Sequence, residues 1–233
     1  MKKIGLVGGT GPESTLMYYK ELNTGIDEIT GGKNMPEIAI ESVNFRKAWE
    51  LVSARQNKEL ADYLSEKVRN LATSGAEVIS LTAVTMHLVY DELVRNTGVS
   101  LVSIPQAVCK EAMKRGYKKV GLLGTMATME QDFMKKDMQR AGIEVFVPDK
   151  EDRELIAKRI MEELEFGIVK ESTRQEFNAI IKNIQQAHGI EAVVLGCTEI
   201  PLLLNDENCV LPCLDSVAIH IERLKELALD EVL

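Results

Sequence analysis

At 233 residues, with a formal net charge of −8 and 27% charged residues, the chain has the length for one or two compact domains with sizeable cores. The acidic balance speaks against nucleic acid and anionic membranes as partners. No apolar stretch approaches the roughly 18 residues of a membrane span, and the run after Met1-Lys2-Lys3 meets Gly8-Gly9 too soon for a signal peptide, so a cytoplasmic protein is expected.

Apolar, β-branched runs predict strands at 4–7, 37–43, 78–82, 101–104, 120–123, 144–147, 192–195 and 210–211. Between them, helical periodicity predicts helices at 13–29, 57–74, 85–96, 106–114, 129–140, 152–166, 172–187 and 216–230. Near-continuous apolar strands alternating with helices imply parallel sheets buried on both faces, hence an α/β fold.

The chain also repeats itself. Lys3-Ile4-Gly5-Leu6-Val7-Gly8 returns as Lys119-Val120-Gly121-Leu122-Leu123-Gly124, and the segment ending in Thr82 returns loosely as the one ending in Cys197, at offsets of 116 and 115 residues. A period this long marks a duplicated domain rather than a solenoid. The expected lobes are 1–98 with 209–233, and 99–208, the last helix packing back on the first lobe. Two such lobes facing one another would bring matching strand ends together across one cleft. Ligands of parallel sheets bind beyond the carboxyl ends of the strands, which directs attention to residues 8–15, 82–85, 124–128 and 196–199.

Gly8-Gly9-Thr10-Gly11-Pro12-Glu13-Ser14-Thr15 is a strand–turn–helix junction. Its glycines allow close backbone approach and the helix start favours an anion. It reads either as a carboxylate-binding loop including Thr10 or as a tight turn; neither G-x-G-x-x-G nor the P-loop pattern is met. Gly124-Thr125-Met126-Ala127-Thr128 holds the equivalent place, with Thr128 the expected helix cap and Thr125 free for a carboxylate. Leu195-Gly196-Cys197-Thr198-Glu199 is the most specific segment, because a thiol at a strand end beside polar residues suits acid/base work once nearby positive charge lowers its pKa. The other cysteines differ: Cys109 sits in a helical run and reads as core, and Cys209 and Cys213 have no second Cys/His pair nearby for a four-ligand metal site. His188 and His220 read as structural, and Asp215 as the cap of the last helix.

G-G-T-G-P-E-S-T, G-T-x-x-T-M-E-Q-D-F and G-C-T-E-I-P-L-L, in this order, resemble the aspartate/glutamate racemase family across essentially the whole chain. The resemblance implies two pseudo-symmetric doubly wound lobes, an active site in the cleft between them, a small amino-acid or dicarboxylate substrate, racemisation without pyridoxal phosphate or any other cofactor or metal, and a homodimer. It implies that Cys197 handles the proton of the L-enantiomer. The family's first-lobe C-N-T-x-H reads here Ala83-Val84-Thr85-Met86-His87, and a neighbouring C-T-N-T-M-H pattern would put Thr82 at its cysteine; in neither register is there a thiol. Thr82 or Ala83–Thr85 would then form the opposite wall, Thr82 being a hydroxyl that relays a proton only with help. Thr10, Ala83, Val84, Thr85, Thr125, Thr128 and Thr198 are the expected substrate-binding positions, and Arg46 would hold a distal carboxylate bidentately. A second family cation falls where this chain has Glu162-Glu163-Leu164-Glu165. The leading expectation is a one-sided, L-selective racemase. The alternatives are a single-cysteine decarboxylase or isomerase, similar to the arylmalonate decarboxylases, and a non-catalytic amino-acid-binding protein.

Overall fold

The computed structural model describes residues 1–230, which form two compact units: Met1–Ser103 with the chain from His220 onward, and Ile104–Ile219. The first contains β1 (Ile4–Gly8), α1 (Pro12–Ile29), β2 (Ile38–Ser42), α2 (Phe45–Ser53), α3 (Asn57–Thr73), β3 (Val78–Leu81), a 3-10 turn (Thr85–Val89), α4 (Tyr90–Thr97) and β4 (Leu101–Val102). The second contains α5 (Ile104–Lys114), β5 (Lys119–Gly124), α6 (Met126–Glu130), α7 (Lys136–Arg140), β6 (Glu144–Phe146), α8 (Lys150–Glu162), a 3-10 turn (Leu164–Phe166), α9 (Glu171–His188), β7 (Ala192–Gly196), a 3-10 turn (Ile200–Leu202) and β8 (Cys213–Asp215). Helix α10 (Ser216–Leu229) follows β8, and its residues from His220 belong to the first unit.

Each unit has one parallel four-stranded sheet, ordered β2-β1-β3-β4 and β6-β5-β7-β8. The α/β architecture and the duplication are both present. Strand β1 is buried throughout and β2 is partly exposed, as a central and an edge strand should be. The helices explain their own placement: α3 buries Leu60, Ala61, Leu64, Val68 and Leu71 at 3.6-residue spacing against Val7, Ile79 and Leu81, and α9 lays Phe177, Ile180, Ile181 and Ile184 into the core around Leu123, Val193 and Leu195. In both sheets the chain leaves its first central strand toward one edge and its second toward the other. That switch of direction lies between β1 and β3, and between β5 and β7, and opens a crevice at their carboxyl ends.

The expected boundaries between lobes need correction. Residues 209–219 fall in the second unit because β8 pairs with β7, Val193 opposite Cys213 and Leu195 opposite Asp215. Residues 99–103 fall in the first because β4 pairs with β3, Ile79 opposite Leu101. The strand expected at 210–211 begins instead at Cys213, after Pro212. The single helix expected at 129–140 is two, broken at residues 131–135, where the Lys135 ammonium caps the free Met129 and Glu130 carbonyls. Helix α2 went unpredicted; among its residues only Ala48 is buried.

In the first unit α10 is secured by a buried histidine. His220 Nδ1 lies 2.7 Å from the Tyr18 hydroxyl, and its Nε2 lies 2.9 Å from Ser80 Oγ. Ser80 has one hydrogen and donates it to the Val102 carbonyl at 2.7 Å. The imidazole therefore donates from Nε2 to Ser80 and accepts from Tyr18 at Nδ1. Backbone N–H of Lys2 donates to Ala228 at 2.9 Å, fixing the same helix farther along.

Burial, with the nearby His87, holds the His220 pKa down to about 3 against an ordinary 6.5. The unfolded chain thus binds a proton on this side chain from about pH 6.5 downward while the native one does not, and stability falls as pH falls through that window. Urea unfolding at pH 7.5 and 5.5 is expected to show a loss of about 1.4 kcal/mol from this group. In His220→Gln the loss between the same two pH values shrinks by that amount.

Candidate active site

The strand ends of the first unit are built around glycine. Gly9 has φ 80°, and a Cβ there would stand 2.6 Å from the Val43 carbonyl oxygen, so only glycine fits. Gly11 at φ 102° enters α1, with Pro12 in its first turn. The Gly9 N–H donates to Thr15 Oγ1 at 2.9 Å, and Ser14 Oγ donates to the Thr82 carbonyl at 2.7 Å, so α1 is bolted to both β1 and the end of β3. Thr10 Oγ1 is buried and has no hydrogen-bond partner among the described residues.

Thr82 is fully buried, and its hydroxyl donates to the Val7 carbonyl at 3.3 Å. It acts as a strut between two strands. Ala83 and Val84 are buried and Thr85 is half-buried at the start of its 3-10 turn. His87 packs on Tyr90 and lies 3.1 Å from the Ala83 carbonyl through Nδ1, which fixes the turn that carries residues 83–85. Arg46, in the first turn of α2, is exposed and has no ion-pair partner among the described residues.

The second unit repeats the plan more tightly. Gly124 and Gly196 are register partners at the ends of β5 and β7. A Cβ on Gly196 would lie 2.8 Å from the Leu123 carbonyl and 2.9 Å from the Thr128 methyl; one on Gly124 would lie 2.8 Å from that methyl. Thr125 caps α6, accepting from the Thr128 N–H at 3.3 Å, and the two hydroxyls are 3.0 Å apart. The cap is therefore Thr125, correcting the expectation for Thr128, whose side chain is wholly buried as the wedge between the two strand ends. Asp215 caps α10 as expected, accepting from the Val217 and Ala218 N–H groups.

Cys197 follows β7 and is 7% exposed. Its thiol donates to Glu199 Oε2 at 2.7 Å. Burial and then the Glu199 charge, with Glu165 farther off, push the thiol pKa well above the ordinary value. The electropositive setting expected around it is thus replaced by an electronegative one, and the resting group is a protonated thiol. Glu165 stands in the turn after α8, where burial and Glu199 raise its own pKa. That turn is held by Glu163, buried and bonded by Thr173 Oγ1 at 2.6 Å, Arg159 Nη1 at 2.8 Å and Lys170 Nζ at 3.0 Å. Its neighbours Thr173 and Lys170 hold the Glu163 carboxyl below the usual range. Of the acidic run, Glu163 is structural and Glu165 belongs to the thiol's surroundings. The partnership of Cys197 and Glu199 was not anticipated; the two-residue spacing across a turn was the available signal.

Strand register settles which first-unit residue corresponds to Cys197. Gly5 pairs with Ile79 and Gly121 with Val193; the β1-to-β5 offset of 116 is matched by a β3-to-β7 offset of 114. The same 114 relates Ala76 to Ile190, the residues that a Cβ on Gly5 and on Gly121 would strike. Gly196 then corresponds to Thr82, and Cys197 to Ala83.

A family model described as Asp/Glu/Hydantoin racemase matches residues 7–224. The chain belongs to that family. An aspartate racemase homologue from Pyrococcus horikoshii OT3 is 40% identical, with 98% of this chain and 99% of that one covered at a TM-score of 0.85. A Yersinia pestis structure provisionally named an Asp/Glu racemase is 37% identical, with 98% and 100% covered at 0.92. The broad specificity amino-acid racemase RacX of Bacillus subtilis is 22% identical over 92% of this chain and 93% of its own. A racemase-type function follows for this chain. Among the described residues no helix is long and apolar enough to cross a membrane, and no group of three or more His, Cys, Asp or Glu is placed to hold a metal.

Gly196→Ala is expected to force either β5 or the Thr128 wedge aside. Denaturant unfolding should show a loss of about 1–3 kcal/mol, as for other overpacked sites, whereas Gly142→Ala, whose Cβ would meet nothing within 4 Å, costs only the strain of its positive φ.

Proposed function

We propose that this family member is a cofactor-independent, one-sided amino-acid racemase of the aspartate/glutamate type, in which Cys197 exchanges the α-proton of the L-enantiomer. The observation that carries the reading is the asymmetry of the duplicated strand ends: a thiol after β7 and, at the register-equivalent place after β3, the methyl group of Ala83. A thiolate can take the α-proton, but an alanine can neither remove nor return one. Inversion then depends on a slower donor, and exchange on the L-enantiomer outruns it.

Removing the α-proton throws charge onto the substrate carboxylate, so donors fixed before the reaction do most to lower the barrier. The start of α1 supports that role: backbone N–H groups of the glycine turn, the helix end, and Thr10 with its unengaged buried hydroxyl. Thr85, Thr125 and Thr198 are half-buried hydroxyls just past the strand ends of their own units, which suits them to bind substrate; Thr128 acts through Thr125. Arg46, exposed and unpaired among the described residues, suits a distal carboxylate. Ala83 also favours a second reading, decarboxylation of a malonate-type acid, because protonating one face of a carbanion needs no group on the other.

Proton NMR in D2O tests the assignment. Loss of the α-proton signal is expected from L-aspartate or L-glutamate and not from the D-forms, and Cys197→Ala abolishes it. Ala83→Cys restores the thiol of the C-N-T-x-H pattern, and D-product is expected to rise at least about tenfold relative to exchange. No exchange from any of the four amino acids, with turnover of a malonate, would replace the racemase by the decarboxylase.

A further inference from the structure

We propose that Cys209 and Cys213 are a redox-active dithiol: Cys209 attacks a small disulfide of the glutathione type, and Cys213 then closes an intramolecular disulfide with it. Neither thiol takes part in the reaction proposed for Cys197. The two side chains are hydrogen-bonded to each other, and both pack on the core of the second unit. Of the four cysteines, Cys109, Cys197 and Cys213 are buried and Cys209 alone is half-buried, so one thiol of the pair can be reached from solvent and the other is shielded.

The loop that carries them is fixed at both ends. The Cys209 N–H donates to the Asn205 carbonyl at 2.9 Å, and the Cys213 N–H donates to Asp206 Oδ1 at 2.7 Å. Asn178 of α9 staples the stretch between: its Nδ2 donates to the Asn208 carbonyl at 2.9 Å, and its Oδ1 accepts from the Val210 N–H at 2.8 Å. The Val193 N–H donates to the Pro212 carbonyl at 2.9 Å, where Cys213 enters β8 opposite Val193. Only three residues separate the cysteines. With the loop already held shut, little closure entropy is left to lose when the sulfurs join.

The pair is unequal. The Cys213 hydrogen has two acceptors in reach, the Cys209 sulfur and the Leu211 carbonyl at 3.8 Å. Donation to the sulfur holds the Cys209 pKa below the ordinary thiol value, against its partial burial and the Asp206 charge. The same bond raises that of Cys213, which burial and the Asp206 and Asp215 carboxylates raise further. Cys209 thus combines access with thiolate character, as an attacking cysteine must, and Cys213 stands beside it as the resolving thiol. Among the described residues no third His, Cys, Asp or Glu joins them to hold a metal.

The exchange balances. Cys209 loses its proton to solvent, and the thiolate attacks one sulfur of the small disulfide. A mixed disulfide forms and the other half leaves as a thiolate. Cys213 gives its proton to that leaving thiolate and attacks Cys209 Sγ. The protein disulfide closes, and the second half leaves and takes a proton from water. Two protein thiols are oxidised, and one small disulfide is reduced to two thiols.

Intact-mass measurement tests the assignment: the folded protein is incubated with excess oxidised glutathione, then quenched in denaturant with N-ethylmaleimide. The reduced protein takes four maleimides, one for each cysteine. The treated protein is expected to take two. Cleavage after Glu199 and Glu207 separates Cys197 from the pair, and the fragment beginning at Asn208 should carry the internal disulfide. In Cys213→Ser the ring cannot close, so one glutathionyl group is expected to accumulate on Cys209. In Cys209→Ser the shielded Cys213 should acquire that group at least about tenfold more slowly, as a buried thiol with a raised pKa. The wild-type result stands whether or not either serine variant folds. Four maleimides on the treated wild type, a lasting glutathionyl adduct in place of the ring, or a disulfide that includes Cys109 or Cys197 would overturn the proposal.

Discussion

The close approach of two parallel strands at their carboxyl ends is the constraint from which the rest of each unit follows. Strands β5 and β7 end in facing glycines, Gly124 and Gly196, with the Thr128 methyl wedged against both. Strand β1 ends in Gly8, where a Cβ would strike the Thr15 methyl at 2.6 Å. Side chains are excluded at these points, so the helix that follows can drop its first turn directly onto the strand ends. The threonine that fills the gap also satisfies a backbone or hydroxyl partner: Thr15 accepts from Gly9, and Thr128 faces Thr125. The next residue along, beyond the glycine, is the first that can carry chemistry. In the second unit that residue is Cys197.

Placement so close to the core has an electrostatic consequence. A buried thiol resists ionisation, and two carboxylates nearby strengthen the resistance. A site built for a permanently ionised cysteine would present a cation or a long helix start, as low-pKa thiols require. This one presents a hydrogen-bond acceptor instead. The arrangement keeps the thiol protonated at rest. The Glu163 knot serves the same end from a distance, since Arg159, Lys170 and Thr173 fix the turn that brings Glu165 into the thiol's field.

The fold was legible because its signals are local. Apolar runs of four to seven residues marked seven of the eight strands, and the glycine turns marked the crevice ends. Strand β8 was misplaced by a few residues because Val210-Leu211 looks more strand-like than Cys213-Leu214-Asp215, while the β7 ladder captures the latter. Helix α2 was missed although Phe45, Ala48, Trp49 and Val52 recur at helical spacing; it is short and buries only Ala48. Residues at the site were legible as types more than as roles. Thr82 stood out as a hydroxyl after a strand, yet full burial commits it to the Val7 carbonyl. The Cys197–Glu199 bond depends on how a turn folds back on itself, which spacing alone does not dictate.

Register shows why such roles resist reading from repeats. Matching the two halves by sequence set Thr82 against Cys197, one residue away from the match that the ladders impose. In a strand a one-residue slip reverses which face a side chain occupies, so the difference separates a group directed into the sheet's packing from one at the crevice. The ladders fix the relation through two independent contacts, Gly5 with Ile79 against Gly121 with Val193, and Ala76 against Ile190. Under that relation, the residue matching Cys197 is Ala83. The duplicated fold therefore carries a thiol at this place in one unit and a methyl group in the other.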